Sequence, residues 1–329
     1  MNTVNDLIRV TVARKRREAE GICSFELIDT TGAPLPSFEA GAHIDVQIPG
    51  SGATPLVRQY SLANAPGERH RYLIAVLDEP ASRGGSRAMH RAVQEGDVLL
   101  IGTPRNNFAL AGSASREQTL LLAGGIGITP ILSMAEALLQ AGADFALHYC
   151  ARSADRLAFA ERLAQPAFSG RVHRHLSADP SSSRLDIVGL LQGPSAQRRL
   201  YVCGPESFLD ATRAAARAAD WPEDQVRFEH FAHKVQASAD DGAFLVRLAR
   251  SGRTIPVAAD QTVVAALSAH GIELPVSCEQ GVCGTCLTRV LEGVPDHKDV
   301  YLTPDEQARN DQFTPCCSRS RTPLLVLDF

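Results

Sequence analysis

No stretch of this 329-residue chain is an unbroken apolar run of membrane-spanning length. The most apolar segment, Thr119 to Met134, is interrupted by Gly124, Gly125, Gly127 and Pro130. A membrane-spanning helix needs about 20 consecutive apolar residues, so this segment reads as a buried strand, a glycine turn and a helix start. A charge excess is also missing. The 33 Lys and Arg residues against 37 Asp and Glu leave a net charge of −4, which gives no global case for nucleic-acid binding or a membrane surface. The basic run Arg14 to Arg17 follows an alternating segment and reads as a solvated strand end. Met1 to Arg9 lacks the apolar core of a signal peptide, so a cytoplasmic location is expected. There is no internal repeat, no Walker loop, no Gly-x-Ser-x-Gly elbow and no Cys-x-His pair of the Rieske type. P-loop phosphate chemistry, serine hydrolysis and a terminal oxygenase lose their usual signatures.

What the chain does have is cysteine, eight in all, with the last five crowded between Cys278 and Cys317. In a cytosolic protein that crowding suggests a metal site more than a disulfide framework. Cys278-x4-Cys283-x2-Cys286 with a distant fourth cysteine is the plant-type [2Fe–2S] spacing. Gly281 and Gly284 allow the loop to curl, and its backbone N–H groups can bond the cluster sulfurs. A zinc site would usually pair its C-x2-C with a second one, and none follows. Cys316 and Cys317 are neighbours, and spacing alone does not choose between them as fourth ligand.

Upstream, two regimes follow one another. Ile8–Val12, Ile22–Leu27, His43–Ile48, Arg71–Leu77 and Val98–Ile101 are short β-rich runs separated by turns, as in a small barrel. From about Ser113 strand-like and helical runs alternate: Thr119–Ala123, Pro130–Gln140, Phe145–Tyr149, Arg156–Leu163, Leu200–Cys203 and Glu206–Ala218. That alternation predicts a parallel sheet covered by helices. Lys234 to Gly242 is small and polar and reads as a linker. Beyond it come a hairpin around Ser251-Gly252, a short helix over Val263–His270, the cysteine loop and a closing strand at Leu324–Leu327.

Three segments suit cofactors. In Arg58-Gln59-Tyr60-Ser61 the arginine can hold a phosphate, the tyrosine can lie on an isoalloxazine face, and the serine can reach the ring edge. A buried tyrosine beside a surface arginine would explain the same residues. Arg83-Gly84-Gly85-Ser86 precedes a helical run, whose free N–H groups suit phosphate. Gly124-Gly125-Ile126-Gly127-Ile128-Thr129-Pro130 sits between a strand and a helix, where glycine lets a pyrophosphate approach the backbone. It is not the Rossmann fingerprint and resembles the ferredoxin-reductase type. Arg152 and Ser153 could hold a 2′-phosphate, or the arginine could simply stack on adenine. His173 and His175 alternate on one strand without a carboxylate partner, which favours a solvated strand face.

Ser277 to Cys286, Asp296-His297-Lys298-Asp299 and Cys316-Cys317-Ser318-Arg319, with the segments above, resemble the phthalate dioxygenase reductase family over essentially the whole chain. That resemblance implies a fold of three parts. They are a flavin-binding antiparallel β-barrel (1–110), a ferredoxin-reductase-type parallel α/β nicotinamide domain (111–232) and, after a linker (233–242), a C-terminal β-grasp plant-type ferredoxin domain (243–329). It implies Cys316 as the fourth iron ligand beside Cys278, Cys283 and Cys286. It implies FMN rather than FAD, held by Arg58, Gln59, Tyr60, Ser61, Arg83, Gly84, Gly85 and Ser86, with Ala75 and Val76 beside the ring. It implies NADH at Gly124, Gly125, Gly127, Thr129 and Pro130, with Cys203-Gly204-Pro205 near the nicotinamide and Phe231 against the flavin. Thr129, Cys203 and Phe231 are then the expected catalytic positions. The implied partner is the Rieske centre of an aromatic-ring dioxygenase or O-demethylase, reached by a monomeric shuttle reductase. A stand-alone NADH:acceptor oxidoreductase and a zinc-stabilised binding module are the rival readings.

Overall fold

The computed structural model describes residues 7–48, 56–79, 84–111, 118–179, 181–194, 197–233, 235 and 241–329. The chain divides into two compact units, Met1–Glu229 and His230–Phe329.

The first unit opens with β1 (Ile8–Ala19), β2 (Ile22–Asp29), β3 (His43–Ile48), β4 (Leu56–Ser61), β5 (Tyr72–Leu77), α1 (Gly85–Arg91) and β6 (Val98–Ile101). The strands form one antiparallel sheet in the order β4-β3-β6-β1-β2-β5. A bridge between Leu62 and Ile74 joins its two ends. Period-two alternation builds the interior: Ile44, Val46 and Ile48 are fully buried and share a core with Val12, Phe25, Leu27 and Ile101. The basic run is solvated, with Arg14, Arg16 and Arg17 exposed, but it lies within the strand rather than at its end. β1 continues to Ala19, pairing Arg14 to Arg17 with Glu26 to Cys23. Lys15 donates its ammonium to the carbonyls of His90 and Val93, each at 2.7 Å, while its apolar stem lets it cross the Phe25 face. The turn at Gly21, with φ 70°, sets the strand's end rather than the apolar alternation.

There follow β7 (Gln118–Gly124), α2 (Ile128–Gln140), β8 (Asp144–Ala151), α3 (Ala160–Leu163), β9 (Val172–Leu176), α4 (Ile187–Leu190), β10 (Arg198–Cys203), α5 (Glu206–Ala218) and β11 (Val226–Glu229). These strands pair in parallel in the order β11-β10-β7-β8-β9. Ala63, Leu73 and Ala75 of the barrel share one core with Ile128, Ile131 and Ala135 of α2, and Ser133 donates to the Asn64 carbonyl at 2.9 Å. Barrel and sheet are thereby packed as one body. The helix expected over 156–163 is broken. Leu157, Ala158 and Phe159 are all buried, three consecutive positions that a single helix face cannot bury together. Phe159 turns left-handed at φ 57°, so only Ala160–Leu163 is helical. The paired histidines are more than a solvated face: His148 and His175 hydrogen-bond at 3.1 Å, and His173 stacks on His148.

The second unit contains β12 (Phe244–Leu248), β13 (Thr254–Val257), α6 (Val263–Ala269), β14 (Thr288–Glu292), β15 (Pro295–Asp296), α7 (Pro304–Arg309), β16 (Gln312–Phe313), β17 (Arg319–Ser320) and β18 (Leu324–Leu327). Its mixed sheet runs β13-β12-β18-β14-β16, with β12 and β18 parallel. α6 buries Val263, Ala266 and Leu267 against that sheet, giving a β-grasp core with Val246, Ile255 and Leu325. Thr262 caps α6 by accepting from the Ala265 N–H at 3.1 Å. Among the described residues no helix is long and apolar enough to cross a membrane.

Candidate functional site

The glycine turn after β7 lies against the Cys203-Gly204-Pro205 turn after β10, the neighbouring parallel strand. A methyl group on Gly127 would stand 2.3 Å from the Cys203 carbonyl oxygen, and one on Gly124 would stand 2.9 Å from Pro205. A methyl group on Gly204 would meet Phe208 at 2.9 Å. These three glycines are therefore required for the two turns to touch. Gly125 differs. Its φ is +55° and nothing lies within 4 Å of its missing side chain, so it presents bare backbone to a cavity of about 650 Å³ at the carboxyl ends of β7, β8 and β9. Gly124, Ile126 and Pro205 also line that cavity. Thr129 and Pro130 are buried in the first turn of α2, and the Thr129 hydroxyl donates to the Ile126 carbonyl at 3.2 Å. Thr129 thus holds the turn.

Cys203 is fully buried. Its register partner on β11 is Glu229, whose carboxyl oxygen accepts from the Cys203 thiol at 3.7 Å. Burial pushes Glu229 up to about 8 and raises the thiol well above its ordinary value. Nothing in the local sequence marks Glu229, because only the strand register brings it to Cys203.

Arg58, Gln59, Tyr60 and Ser61 form most of β4. The Arg58 side chain crosses Gly85, where a methyl group would sit 2.7 Å from its Cγ. Gly84 has φ 98°, open to glycine alone at little cost, and the Ser86 hydroxyl accepts from the Glu79 N–H at 3.2 Å. Ala75 and Val76 are buried on β5. Arg83 lies outside the described residues. His43 stands opposite Ser61, and Asp45 opposite Gln59. His43 Nε2 and Gln59 Nε2 are buried without a hydrogen-bond partner. Buried polar atoms are normally satisfied, so this face of the β3–β4 ladder fits a ligand with polar edges. Burial holds His43 down to about 4, which keeps its ring neutral.

In the second unit the loop at Cys278–Cys286 carries three left-handed residues, Glu279, Gly281 and Gly284. It brings four thiols together: Cys278 is within hydrogen-bond reach of Cys283 and Cys316, and Cys316 also reaches Cys286. Backbone N–H groups of Gln280 and Thr285 donate to the sulfurs of Cys278 and Cys283 at 3.4 and 3.5 Å. Cys317 is buried beside Cys316, and its sulfur lies 3.2 Å from the Thr314 hydroxyl. A methyl group on Gly281 would meet the Cys317 sulfur at 2.5 Å and Asp299 Cβ at 2.8 Å; one on Gly284 would enter the Tyr301 ring at 2.2 Å. The segment at Asp299–Tyr301 therefore clamps the loop. Asp299 accepts from the Leu302 N–H at 2.8 Å and from the Ser318 hydroxyl at 3.3 Å. Lys298 pairs with Asp241, and Arg319 donates to the carbonyls of Gln261, Gly242 and Ala258 at 2.7, 3.0 and 2.9 Å. These motif residues are braces of the ferredoxin fold. Phe231 falls in this second unit, with an exposed side chain.

A nucleotide-binding α/β domain and a cysteine-loop ferredoxin domain in one chain define an iron–sulfur oxidoreductase. Comparison with known proteins agrees. Residues 121–214 match an oxidoreductase NAD-binding domain, and residues 246–321 match a 2Fe-2S iron-sulfur cluster binding domain. The chain is 53% identical to the vanillate O-demethylase oxidoreductase of Pseudomonas putida, over 98% of this chain and 100% of that one. The structure of phthalate dioxygenase reductase, described as modular for electron transfer from pyridine nucleotides to [2Fe–2S], superposes with a TM-score of 0.74 at 36% identity, covering 98% of each chain. An intact type IV self-sufficient cytochrome P450 monooxygenase superposes with a TM-score of 0.85 at 39% identity, and this chain, covered to 98%, spans 41% of it. The chain belongs to the phthalate dioxygenase reductase family.

Proposed function

We propose that the chain takes electrons from NADH, passes them through FMN to a [2Fe–2S] cluster, and delivers them to the Rieske centre of a partner aromatic dioxygenase or O-demethylase. The observation that carries this reading is three thiols of a braced loop converging with Cys316, in a chain that also holds a cavity of about 650 Å³ at a glycine turn. When bound, FMN supplies the step between a two-electron hydride and the single electrons that an iron–sulfur centre accepts.

The roles of the residues follow from their surroundings. Gly125 lets the nucleotide's pyrophosphate meet backbone, while Gly124, Gly127, Thr129, Pro130, Gly204 and Pro205 hold the turn in place. Cys203, steadied by Glu229, stands beneath the nicotinamide position. Arg58, Gly84, Gly85, Ser86 and Arg83 hold the flavin phosphate; Gln59, Tyr60, Ser61, Ala75 and Val76 hold its ring. Phe231 covers the ring and moves aside for the nicotinamide. Cys278, Cys283, Cys286 and Cys316 ligate iron, and Cys317 fills space. On this reading the chain comprises an FMN barrel (1–110), an NAD domain (111–232), a linker (233–242) and a ferredoxin domain (243–329), and works as a cytoplasmic monomer.

Anaerobic addition of NADH to the purified holoprotein tests it. Flavin and iron–sulfur absorbance should both bleach. Flavin bleaching with no iron–sulfur bands would overturn the cluster half, and a colourless protein that cannot be reconstituted would overturn the whole. Cys316→Ser should abolish the iron–sulfur bands, whereas Cys317→Ser should leave them within about 20% of wild type, since a buried serine can keep the contact to Thr314.

A further inference from the structure

Cys317 is a further thiol at the cluster loop, and its surroundings are polar. It is buried in one packed group with Cys286 and Cys316, and its sulfur is within hydrogen-bond reach of the Cys316 sulfur. A methyl group on Gly281 would stand 2.5 Å from the Cys317 sulfur, so this thiol also lies against the loop that carries Cys278, Cys283 and Cys286. The Thr314 hydroxyl is 3.2 Å away. Thr314 in turn lies 3.0 Å from the Ser318 hydroxyl, which accepts from the Lys298 N–H at 3.1 Å and donates to Asp299 at 3.3 Å.

Counting protons gives this chain of contacts a direction. A hydroxyl or a thiol has one proton to give. That of Ser318 goes to Asp299, so Thr314 receives none from Ser318 and gives its own to Ser318 or to Cys317. The Cys317 thiol has as acceptors the Thr314 hydroxyl at 3.2 Å, the Thr314 carbonyl and the Ser318 hydroxyl, each at 3.8 Å, and the Cys316 sulfur. As an iron ligand Cys316 is a thiolate, and a charged acceptor makes a bond roughly twice as strong as a neutral one. The Cys317 proton therefore points at Cys316, and Thr314 donates to Cys317 from behind.

The loop ligands are served differently. Backbone N–H groups of Gln280 and Val282 reach Cys278, and the Thr285 N–H reaches Cys283. Hydrogen bonds to the sulfurs help to set the potential of an iron–sulfur cluster. Reduction adds negative charge to the cluster. A donor on a ligand sulfur stabilises that charge, so the potential rises. Main-chain donors remain whatever side chain stands there, whereas the donor at 317 exists because that residue is cysteine.

We propose that the Cys317 thiol donates a hydrogen bond to the Cys316 ligand sulfur and thereby raises the reduction potential of the cluster. This rests on the cluster reading above and goes beyond the space-filling role given to Cys317 there. Cys317 acts through Cys316 and is not itself a ligand.

The test is an anaerobic redox titration of the purified holoprotein, with the cluster followed by electron paramagnetic resonance and the flavin by absorbance. At fixed potential, Cys317→Ala should move the cluster about tenfold towards its oxidised form, a midpoint lower by about 59 mV for a one-electron couple. The flavin midpoint should stay where it is. Cys317→Ser keeps a donor and should move the cluster by less than about threefold. Thr314→Val removes the group behind the thiol, leaves every ligand in place, and should move the cluster in the same direction by about threefold. A Cys317→Ala midpoint that is higher than wild type, or within about twofold of it on the same scale, would overturn the inference and leave the electron-transfer reading standing. Should Cys317→Ala fail to retain its cluster, Thr314→Val decides in its place, and an unmoved midpoint there would overturn the inference. A wild-type holoprotein with no [2Fe–2S] signal would overturn the reading and the inference together.

Discussion

The turn after β7 and the loop at Cys278–Cys286 both depend on glycine, but a methyl group would meet different obstacles in each. In the β7 turn, Gly127 faces the main chain of Cys203, 2.3 Å from a would-be Cβ, and its own backbone is right-handed with φ −60°. In the cysteine loop, Gly284 is left-handed at φ 69° and also faces the Tyr301 ring at 2.2 Å. The first loop uses glycine so that two strand ends can touch. The second uses it twice over, for a backbone shape and for a clamp. A glycine-rich motif therefore does not by itself mean ligand contact, and within the β7 turn only Gly125 combines an open surrounding with cavity exposure.

Substitutions can break or sharpen this contrast. The largest effect is expected at Gly284→Ala, which adds left-handed strain of about 1–2 kcal/mol to an overpacking cost of about 1–3 kcal/mol. The purified protein should lose most of its iron–sulfur absorbance while keeping its nucleotide-binding affinity. Gly127→Ala carries only the packing cost, about 1–3 kcal/mol, but against backbone that cannot rotate away. Urea unfolding of the first unit should shift accordingly, with cluster absorbance intact. If Gly127→Ala instead bleached the cluster bands, the two loops would not be independent.

A pH effect separates the units further. Glu229 is raised from 4.5 to about 8 by burial, so the folded state holds a proton that the unfolded chain releases above its ordinary carboxylate pKa. Its contribution therefore falls as pH rises between those two values and is constant outside them. Glu229→Gln should flatten the pH dependence of stability in that window, as read by urea midpoints; an unchanged slope would contradict a buried protonated carboxyl. The smallest effect is expected at Gly125→Ala. With nothing within 4 Å, it should cost about 1 kcal/mol of left-handed strain and raise KM for NADH modestly with little change in kcat.

Much of this was legible beforehand, for identifiable reasons. The barrel strands show through because Ile44, Val46 and Ile48 alternate with polar residues. The helix at Glu206–Ala218 was expected at its observed bounds, since its apolar face repeats with helical period and Gly204-Pro205 precedes it. The cysteine loop is legible from ligand spacing alone. Other features depend on contacts between distant segments. The break at Leu157–Phe159 follows from three successive residues finding burial, which local helix propensity does not register. The structural task of Lys15 depends on carbonyls of His90 and Val93. Glu229 acquires its meaning only through pairing with Cys203. Cys316 rather than Cys317 could be chosen from resemblance but not from spacing.

The most direct test of the central claim, that one chain carries electrons from nucleotide to cluster, is electron paramagnetic resonance on holoprotein frozen after anaerobic mixing with a small excess of NADH. The account predicts a reduced [2Fe–2S] signal approaching one spin per chain in wild type and none in Cys316→Ser. A fully reduced flavin with no cluster signal in wild type would contradict it.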